Sequence, residues 1–135
     1  MRNRRANCGV LMDIDSEVWC VSANVKKQIP YGPGGEDTKS GLKRFKAGAK
    51  VQIIDAYRGM GESVVVIGPH RHGGKNISCV VRANTIENLR VSKVYSKSIL
   101  ALLEVAADHN NGGAGFKTRN AAEVFMREIL EWQGQ

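Results

Sequence analysis

The sequence predicts a mainly β domain with helices at its C-terminal end. Between about residues 18 and 95, short segments rich in Val and Ile alternate with turns that contain Gly, a pattern typical of strands joined by tight connections. From Ser96 onward the apolar residues recur every three or four positions, which is the spacing of an amphipathic helix. The chain has 135 residues, of which 42% are apolar, so we expect a single domain over residues 1–135 with one core.

Five strands are predicted in the first region. Val18–Val25 alternates apolar side chains onto one face. The long excursion that follows, Lys26–Gly41, holds two prolines and four glycines, which exclude a helix or a central strand there. Ala83–Glu87 has no strand pattern and is predicted to contain one 3₁₀ turn. The remaining strands are predicted at Lys50–Tyr57, Glu62–Gly68, Asn76–Arg82 and Leu89–Tyr95.

This order of elements resembles a small five-stranded Src-homology-3-like barrel, which has a long first loop and a 3₁₀ turn before its last strand. We expect such a barrel over residues 18–95, and a helical region over residues 96–135 that covers an open end or one face. The alternative is an α+β fold, in which an open antiparallel sheet carries both helices on one face. Both arrangements accommodate Val64–Ile67, whose unbroken apolar run predicts burial on both sides of the strand.

Two helices are predicted in the C-terminal region. The first begins at Ser96 or Ser98, either of which can act as an N-cap, and extends to about Asp108. The second begins near Asn120, because Asn120 and Glu123 have the spacing of a capping box.

The positive charge of the chain is concentrated in its centre. The net charge is +7, yet Lys39–Lys97 alone contains twelve basic and three acidic side chains, a net charge of +9. This segregation predicts a surface that attracts a polyanion or an acidic protein. The candidate binding residues are Lys43, Arg44, Lys46, Arg58, His70, Arg71, His72, Lys75, Arg82 and Arg90.

The two histidines of Pro69–Lys75 are the most conspicuous chemical groups. A metal site needs three or four ligands, and a catalytic histidine needs a carboxylate that orients it; the sequence offers neither beside His70 and His72. We therefore expect a solvated basic hairpin loop; the alternative is that this loop contacts a phosphate or a carboxylate, with Arg71 as the bidentate donor. No serine or cysteine lies near a base in the sequence, so we expect neither an enzyme nor a cofactor or metal.

The remaining composition favours a cytoplasmic protein that does not enter a membrane. No secretory signal is visible, and no apolar run approaches the length of a membrane span. The three cysteines, Cys8, Cys20 and Cys79, are odd in number and have no CxxC spacing, which favours reduced thiols over disulfides or metal ligands.

Five segments between about residues 19 and 96 together carry a family resemblance: Trp19–Ser22, Pro30–Gly35, Phe45–Val51, Arg58–Glu62 and Val66–Arg71. They resemble a group of small bacterial proteins, the immunity proteins of contact-dependent and polymorphic toxin systems. The resemblance implies a cytoplasmic protein that binds one cognate toxin domain and blocks its active site or target surface. The basic centre departs from immunity proteins against nucleases, which are commonly acidic, and implies an acidic toxin surface or a toxin that is not a nuclease.

Two other functions are kept as alternatives. The basic surface of residues 39–97 suits a nucleic-acid-binding small-barrel module, which would hold phosphates with its cations and stack bases on aromatic rings. The third hypothesis is a ribonuclease toxin, since Glu17–Val21 resembles the first strand of messenger-RNA interferase toxins; the proline-rich strand that should follow is missing.

Overall fold

The protein is described by a computed structural model that covers residues 3–5, 11–13, 16–26, 44–59, 61–105 and 114–134. The elements are β1 (Asn3–Arg5), β2 (Leu11–Asp13), β3 (Glu17–Val25), β4 (Lys50–Tyr57), β5 (Ser63–Pro69), β6 (Asn76–Arg82), the 3₁₀ turn η1 (Ala83–Thr85), β7 (Ile86–Tyr95), α1 (Ser96–Val105) and α2 (Arg119–Gln133). The two three-residue strands, β1 and β2, pair with each other in a small antiparallel sheet that was not predicted from the sequence, because segments so short show no alternation. A larger antiparallel sheet has the order β6-β5-β4-β3-β7.

The predicted fold class is confirmed, since the described chain is mainly β, with one five-stranded sheet and two helices. The predicted closure into a barrel is wrong. β6 and β7 are the two edges of the sheet, and within the described residues they do not pair with each other. η1 joins the end of β6 to the start of β7, so the two edges meet at that corner.

The two helices lie on opposite faces of the sheet, which also corrects the alternative with both helices on one face. α1 places Ile99 and Leu103 against a cluster that includes Val18 and Ile67. α2 places Ile129 in the cluster on the other face; that cluster contains the larger share of the buried side chains. An open sheet covered on both sides has no need to close in order to bury its faces.

β5 is the centre of this three-layered arrangement. Val64 and Val66 face α2, whereas Val65 and Ile67 face α1, and all four side chains are almost completely buried. The unbroken apolar run is thus explained by burial on both faces, as the sequence predicted. Each such side chain contributes roughly 1.5–3 kcal/mol through removal of its surface from water.

The ends of the helices follow local hydrogen bonds. α2 begins one residue after Thr118, whose side-chain Oγ1 accepts a hydrogen bond from Ala121 N at 3.2 Å. The predicted cap at Asn120 is therefore wrong, because Thr118 has the extended backbone that a cap requires and Asn120 already lies in the first turn. α1 begins at Ser96 as predicted, and its predicted end near Asp108 lies outside the described residues.

Among the described residues, neither helix is long and apolar enough to cross a lipid bilayer.

Candidate binding surface

The connection between β5 and β6, His70–Lys75, forms the exposed tip of a hairpin. Gly73 and Gly74 both adopt a positive φ, at 84° and 86°, a backbone conformation that is strained for residues with a side chain. Gly73 N donates a hydrogen bond to His70 O at 2.9 Å, which closes the turn. Arg71, His72 and Lys75 are exposed on this tip. The Gly-Gly pair therefore sets a tight turn that displays the basic side chains.

A second segment holds this loop in place from the side. Arg71 N donates to Arg44 O at 2.7 Å, which joins the loop to the residues that precede β4. Phe45 is buried in the core, so it anchors this neighbouring segment while Arg44 and Lys46 on either side remain exposed. The Arg44 guanidinium also reaches the thiol of Cys79 on β6, with an N–S distance of 3.9 Å.

Six of the ten predicted site residues thus belong to one surface, which we call the basic loop surface: Arg44, Lys46, His70, Arg71, His72 and Lys75.

The basic loop surface lies in a part of the chain that contains no acidic residue. The sequence has no Asp or Glu between Glu62 and Glu87, nor between Arg44 and Ile54. The ion pairs among the described residues lie elsewhere, and neither Lys46 nor Lys75 takes part in one of them. Its positive potential is therefore not cancelled by carboxylates within these segments.

Three other predicted residues lie apart from the basic loop surface. Arg58 follows β4 and pairs with Glu128 on α2. Arg82 ends β6, and its guanidinium lies 3.5 Å from Gly61 O in the turn between β4 and β5. Arg90 on β7 donates to Asn24 Oδ1 at 2.8 Å. The tenth predicted residue, Lys43, lies outside the described residues.

Arg82 also borders a shallow cleft that the sequence analysis did not identify. One oxygen of the Glu62 carboxylate accepts a weak hydrogen bond from Gly59 N at 3.3 Å, while the other, Oε2, is buried and has no hydrogen-bond partner among the described residues. Glu62 has a positive φ of 50°, which places its side chain at this bend. The cleft is lined by Gly61, Glu62, Arg82, Ala83, Asn84 and Trp132.

The two histidines contact each other at the hairpin tip. Their ring centroids are 5.3 Å apart, and His70 Nδ1 accepts a hydrogen bond from the backbone N–H of His72 at 3.1 Å. This bond occupies Nδ1 of His70 and leaves its Nε2 as the nitrogen available to an outside partner. In the part of the chain that the structure describes, no group of three or more His, Cys, Asp or Glu side chains is placed to hold a metal ion.

The two described cysteines are free thiols with suppressed reactivity. Burial raises the pKa of Cys20 from 9.0 to about 11, against the smaller opposing effect of a backbone hydrogen bond from Gly115. Burial also raises the pKa of Cys79, and the nearby Arg44 offsets part of that change. Both thiols therefore stay protonated near neutral pH and are poor nucleophiles.

Two aromatic rings near the start of β3 and the end of β7, Trp19 and Tyr95, have cations beside them; the cations beside Trp19 were not predicted from the sequence. The ring centroid of Trp19 lies 5.3 Å from Lys93 Nζ and 5.7 Å from the central carbon of the Arg119 guanidinium. Tyr95 is 55% exposed, with Lys97 Nζ 5.8 Å from its ring. The two contacts of Trp19 join segments that are distant in sequence, so no local pattern predicts them, whereas Lys97 lies only two residues after Tyr95.

Comparisons of the chain with known protein families, with curated proteins and with solved structures find no match. Its function must therefore be inferred from the residues described above.

Proposed function

We propose that the chain is a cytoplasmic immunity protein that neutralises a bacterial toxin domain by placing the basic loop surface against an acidic site on that domain. The observation that carries this proposal is the acid-free hairpin tip held by the segment before β4. A convex, braced loop suits insertion into a partner's cleft because little conformational entropy is lost when it binds.

Charge supports a protein partner in two ways. Complementary potentials accelerate encounter and exclude wrong partners, whereas close contact between like charges costs several kcal/mol. The loop carries its cations in a sequence segment that has no Asp or Glu between Glu62 and Glu87, so an acidic cleft is the surface that it fits best. The resemblance to immunity proteins over residues 19–96 agrees with this role.

The first test is coexpression with the protein encoded by the neighbouring upstream gene, followed by affinity purification of the tagged chain. We expect a stable stoichiometric complex that survives gel filtration. If the neighbouring gene encodes no toxin domain and no complex is recovered, the proposal is wrong.

Charge reversal then locates the interface. The double variant Lys46→Glu, Lys75→Glu should weaken the complex at least about tenfold, because reversing a charge at a complementary surface costs more than 1.4 kcal/mol. The matched control is Lys97→Glu, Lys117→Glu, which changes the net charge equally at exposed lysines outside the basic loop surface. Equal losses in the two variants would show that overall charge, and not this loop, drives binding.

The second candidate function is nucleic-acid binding, which the exposed Tyr95 with its neighbouring Lys97 favours. An exposed ring beside a cation is a platform on which a base can stack. Tyr95 pairs with Glu17 at one end of β3, however, whereas the basic loop surface lies toward the other end of the sheet. A filter-binding titration with single-stranded RNA at low and moderate salt tests this function; steeply salt-dependent retention that Tyr95→Ala abolishes would support it.

The ribonuclease hypothesis is tested on the same samples. RNA that stays intact on incubation with the wild-type chain argues against it. Cleavage that persists in His70→Ala, His72→Ala would exclude the loop histidines as its source.

A further inference from the structure

The two edges of the five-stranded sheet differ in how they are protected against pairing with another chain. β7 carries charged side chains along its length, has Asn88 at a positive φ of 56°, and shifts its register against β3. Natural proteins use such irregularities and charges to block edge pairing. β6 pairs residue for residue with β5, without a register shift, and has neither proline nor a charged residue between its two ends.

Hydrogen bonding along the ladder shows which groups of β6 point outward. Ala83 N donates to Glu62 O at 3.0 Å, so these two residues form a hydrogen-bonded pair. Because such pairs alternate in an antiparallel ladder, the backbone groups of Ile77, Cys79 and Val81 point toward β5. Those of the intervening residues, Asn76, Ser78, Val80 and Arg82, point away from it.

Two observations agree with this alternation. Pro69 has no N–H and lies opposite Asn76. Because the backbone groups of Asn76 point away from β5, Asn76 needs no hydrogen bond from Pro69. The outward carbonyl of Arg82 accepts a hydrogen bond from Thr85 Oγ1 at 2.6 Å, within η1. For Ser78 and Val80, the structure gives no hydrogen-bond partner to the outward backbone groups among the described residues. Within the described part of the chain, the middle of β6 is thus an open edge.

The side chains of β6 show what kind of segment this edge suits. Val80 is 42% exposed at its centre and offers an apolar contact to an added strand. Cations mark both ends, with Lys75 just before the strand and Arg82 as its last residue, and Arg44 reaches Cys79 from the side. No acidic residue lies between Glu62 and Glu87 to oppose them.

We propose that β6 binds an extended acidic segment of a partner protein, which adds to the sheet as a sixth strand. Backbone hydrogen bonds to Ser78 and Val80 supply affinity, the apolar contact at Val80 fixes the register, and the flanking cations select for acidic side chains. The inference deepens the proposed function, on which the identity of the partner rests, by assigning the way in which that partner is held.

The test uses the full chain, labelled with ¹⁵N, and a capped seven-residue peptide of alternating glutamate and valine. We expect the largest amide shift changes, and new protection from hydrogen exchange, at Ser78 and Val80. A peptide with lysine in place of glutamate should bind at least about tenfold more weakly, since its charges face those of Lys75 and Arg82.

A proline variant separates strand addition from other contacts. Val80→Pro removes the outward N–H of residue 80, which makes no hydrogen bond among the described residues, so the β5–β6 ladder should remain intact. Peptide affinity should fall about tenfold, because one backbone hydrogen bond to the peptide is lost and the proline backbone fits an added strand less well. Val80→Ile retains the N–H, the β preference and the apolar contact, so its affinity for the peptide should stay well above that of Val80→Pro. The exchange measurement on the wild-type chain needs no variant and stands even if Val80→Pro fails to fold.

The other outcomes overturn the inference in recognisable ways. Shift changes confined to His72–Lys75, or equal binding of the lysine peptide, would show that β6 is not the docking strand for an acidic segment. A concentration-dependent dimer that protects the same amides without peptide would show that a second copy of the chain occupies the edge. Peptide binding at β6 combined with no complex in the coexpression experiment would instead refute the proposed toxin partner and leave the strand-addition site standing.

Discussion

Replacing Gly68 with alanine should destabilise the fold by overpacking the contact between β4 and β5. Gly68 is the next-to-last residue of β5 and is buried. A Cβ placed there would lie 2.7 Å from Val51 Cγ1 and 3.1 Å from the carbonyl oxygen of Lys50. The same Cβ would lie 3.3 Å from Phe45 Cε1, which is a third close contact.

The size of the effect follows from which of these atoms can move. The Val51 side chain is 1% exposed and is packed on all sides, and the Lys50 carbonyl belongs to the backbone of β4. Relief therefore requires a shift of strand against strand, for which overpacked cores typically lose about 1–3 kcal/mol. For a domain of this length, each kcal/mol corresponds to a fall of roughly 3–4 °C in the melting temperature.

Urea unfolding followed by tryptophan fluorescence measures this loss, because Trp132 is buried against the sheet. The control is Gly134→Ala, the same chemical change at a helix end where the new Cβ would meet its nearest atom at an ordinary 3.5 Å. That variant should stay within about 0.5 kcal/mol of the wild type. A Gly68→Ala protein as stable as this control would refute the close packing of β4 on β5.

Two further predictions concern the helix cap and a buried thiol. Thr118→Ala should lower the free energy of unfolding by about 1 kcal/mol in the same assay, because Ala121 N loses its partner, whereas Asn120→Ala should change it by less than about 0.5 kcal/mol. The pKa of Cys20 is about 11 in the folded chain against an ordinary 9.0, so the unfolded chain releases this proton first as the pH rises. The contribution of the Cys20 thiol to the free energy of unfolding should therefore be fully present below pH 9. It should fall between pH 9 and 11, by up to about 1.4 kcal/mol per pH unit. Urea titrations of wild type and Cys20→Ala should diverge over this range, and parallel curves would contradict the burial of the thiol.

The strands could be predicted from the sequence because their signals are local. Lys50–Tyr57 and Asn76–Arg82 were predicted with the bounds that the structure shows, since each alternates β-forming residues between clear turns. The predicted 3₁₀ turn before the last strand is also present, as Ala83–Thr85. The grouping of cations around the Gly-Gly turn was likewise predictable, because most of them are neighbours in the chain.

Sheet closure and helix placement could not be predicted, because they depend on contacts between distant segments. An apolar run such as Val64–Ile67 predicts that both faces of the strand are buried. It does not indicate whether a closed barrel or two helices bury them. The position of α2 depends on Ile129 and Trp132 packing in one cluster with strand residues such as Ile86, which precedes both by more than forty residues. The contacts of Trp19 with Lys93 and Arg119 also join distant segments, so the sequence alone predicts only an ordinary core residue at Trp19.

The open form of the sheet connects the fold to the proposed binding mode. A closed barrel would have joined β6 to β7 and satisfied the outward groups of Ser78 and Val80, leaving only the loop to bind a partner. In the open sheet the basic loop surface and the β6 edge are continuous, because Lys75 ends the loop and Asn76 begins the strand. In the proposed binding mode, an acidic partner segment that contacts the loop therefore also lies beside the β6 edge. Backbone hydrogen bonds to β6 then fix the register of the segment's charged and apolar side chains. Charge attraction at the loop and strand addition at β6 are then successive parts of one interface, and the two sets of variants measure them separately.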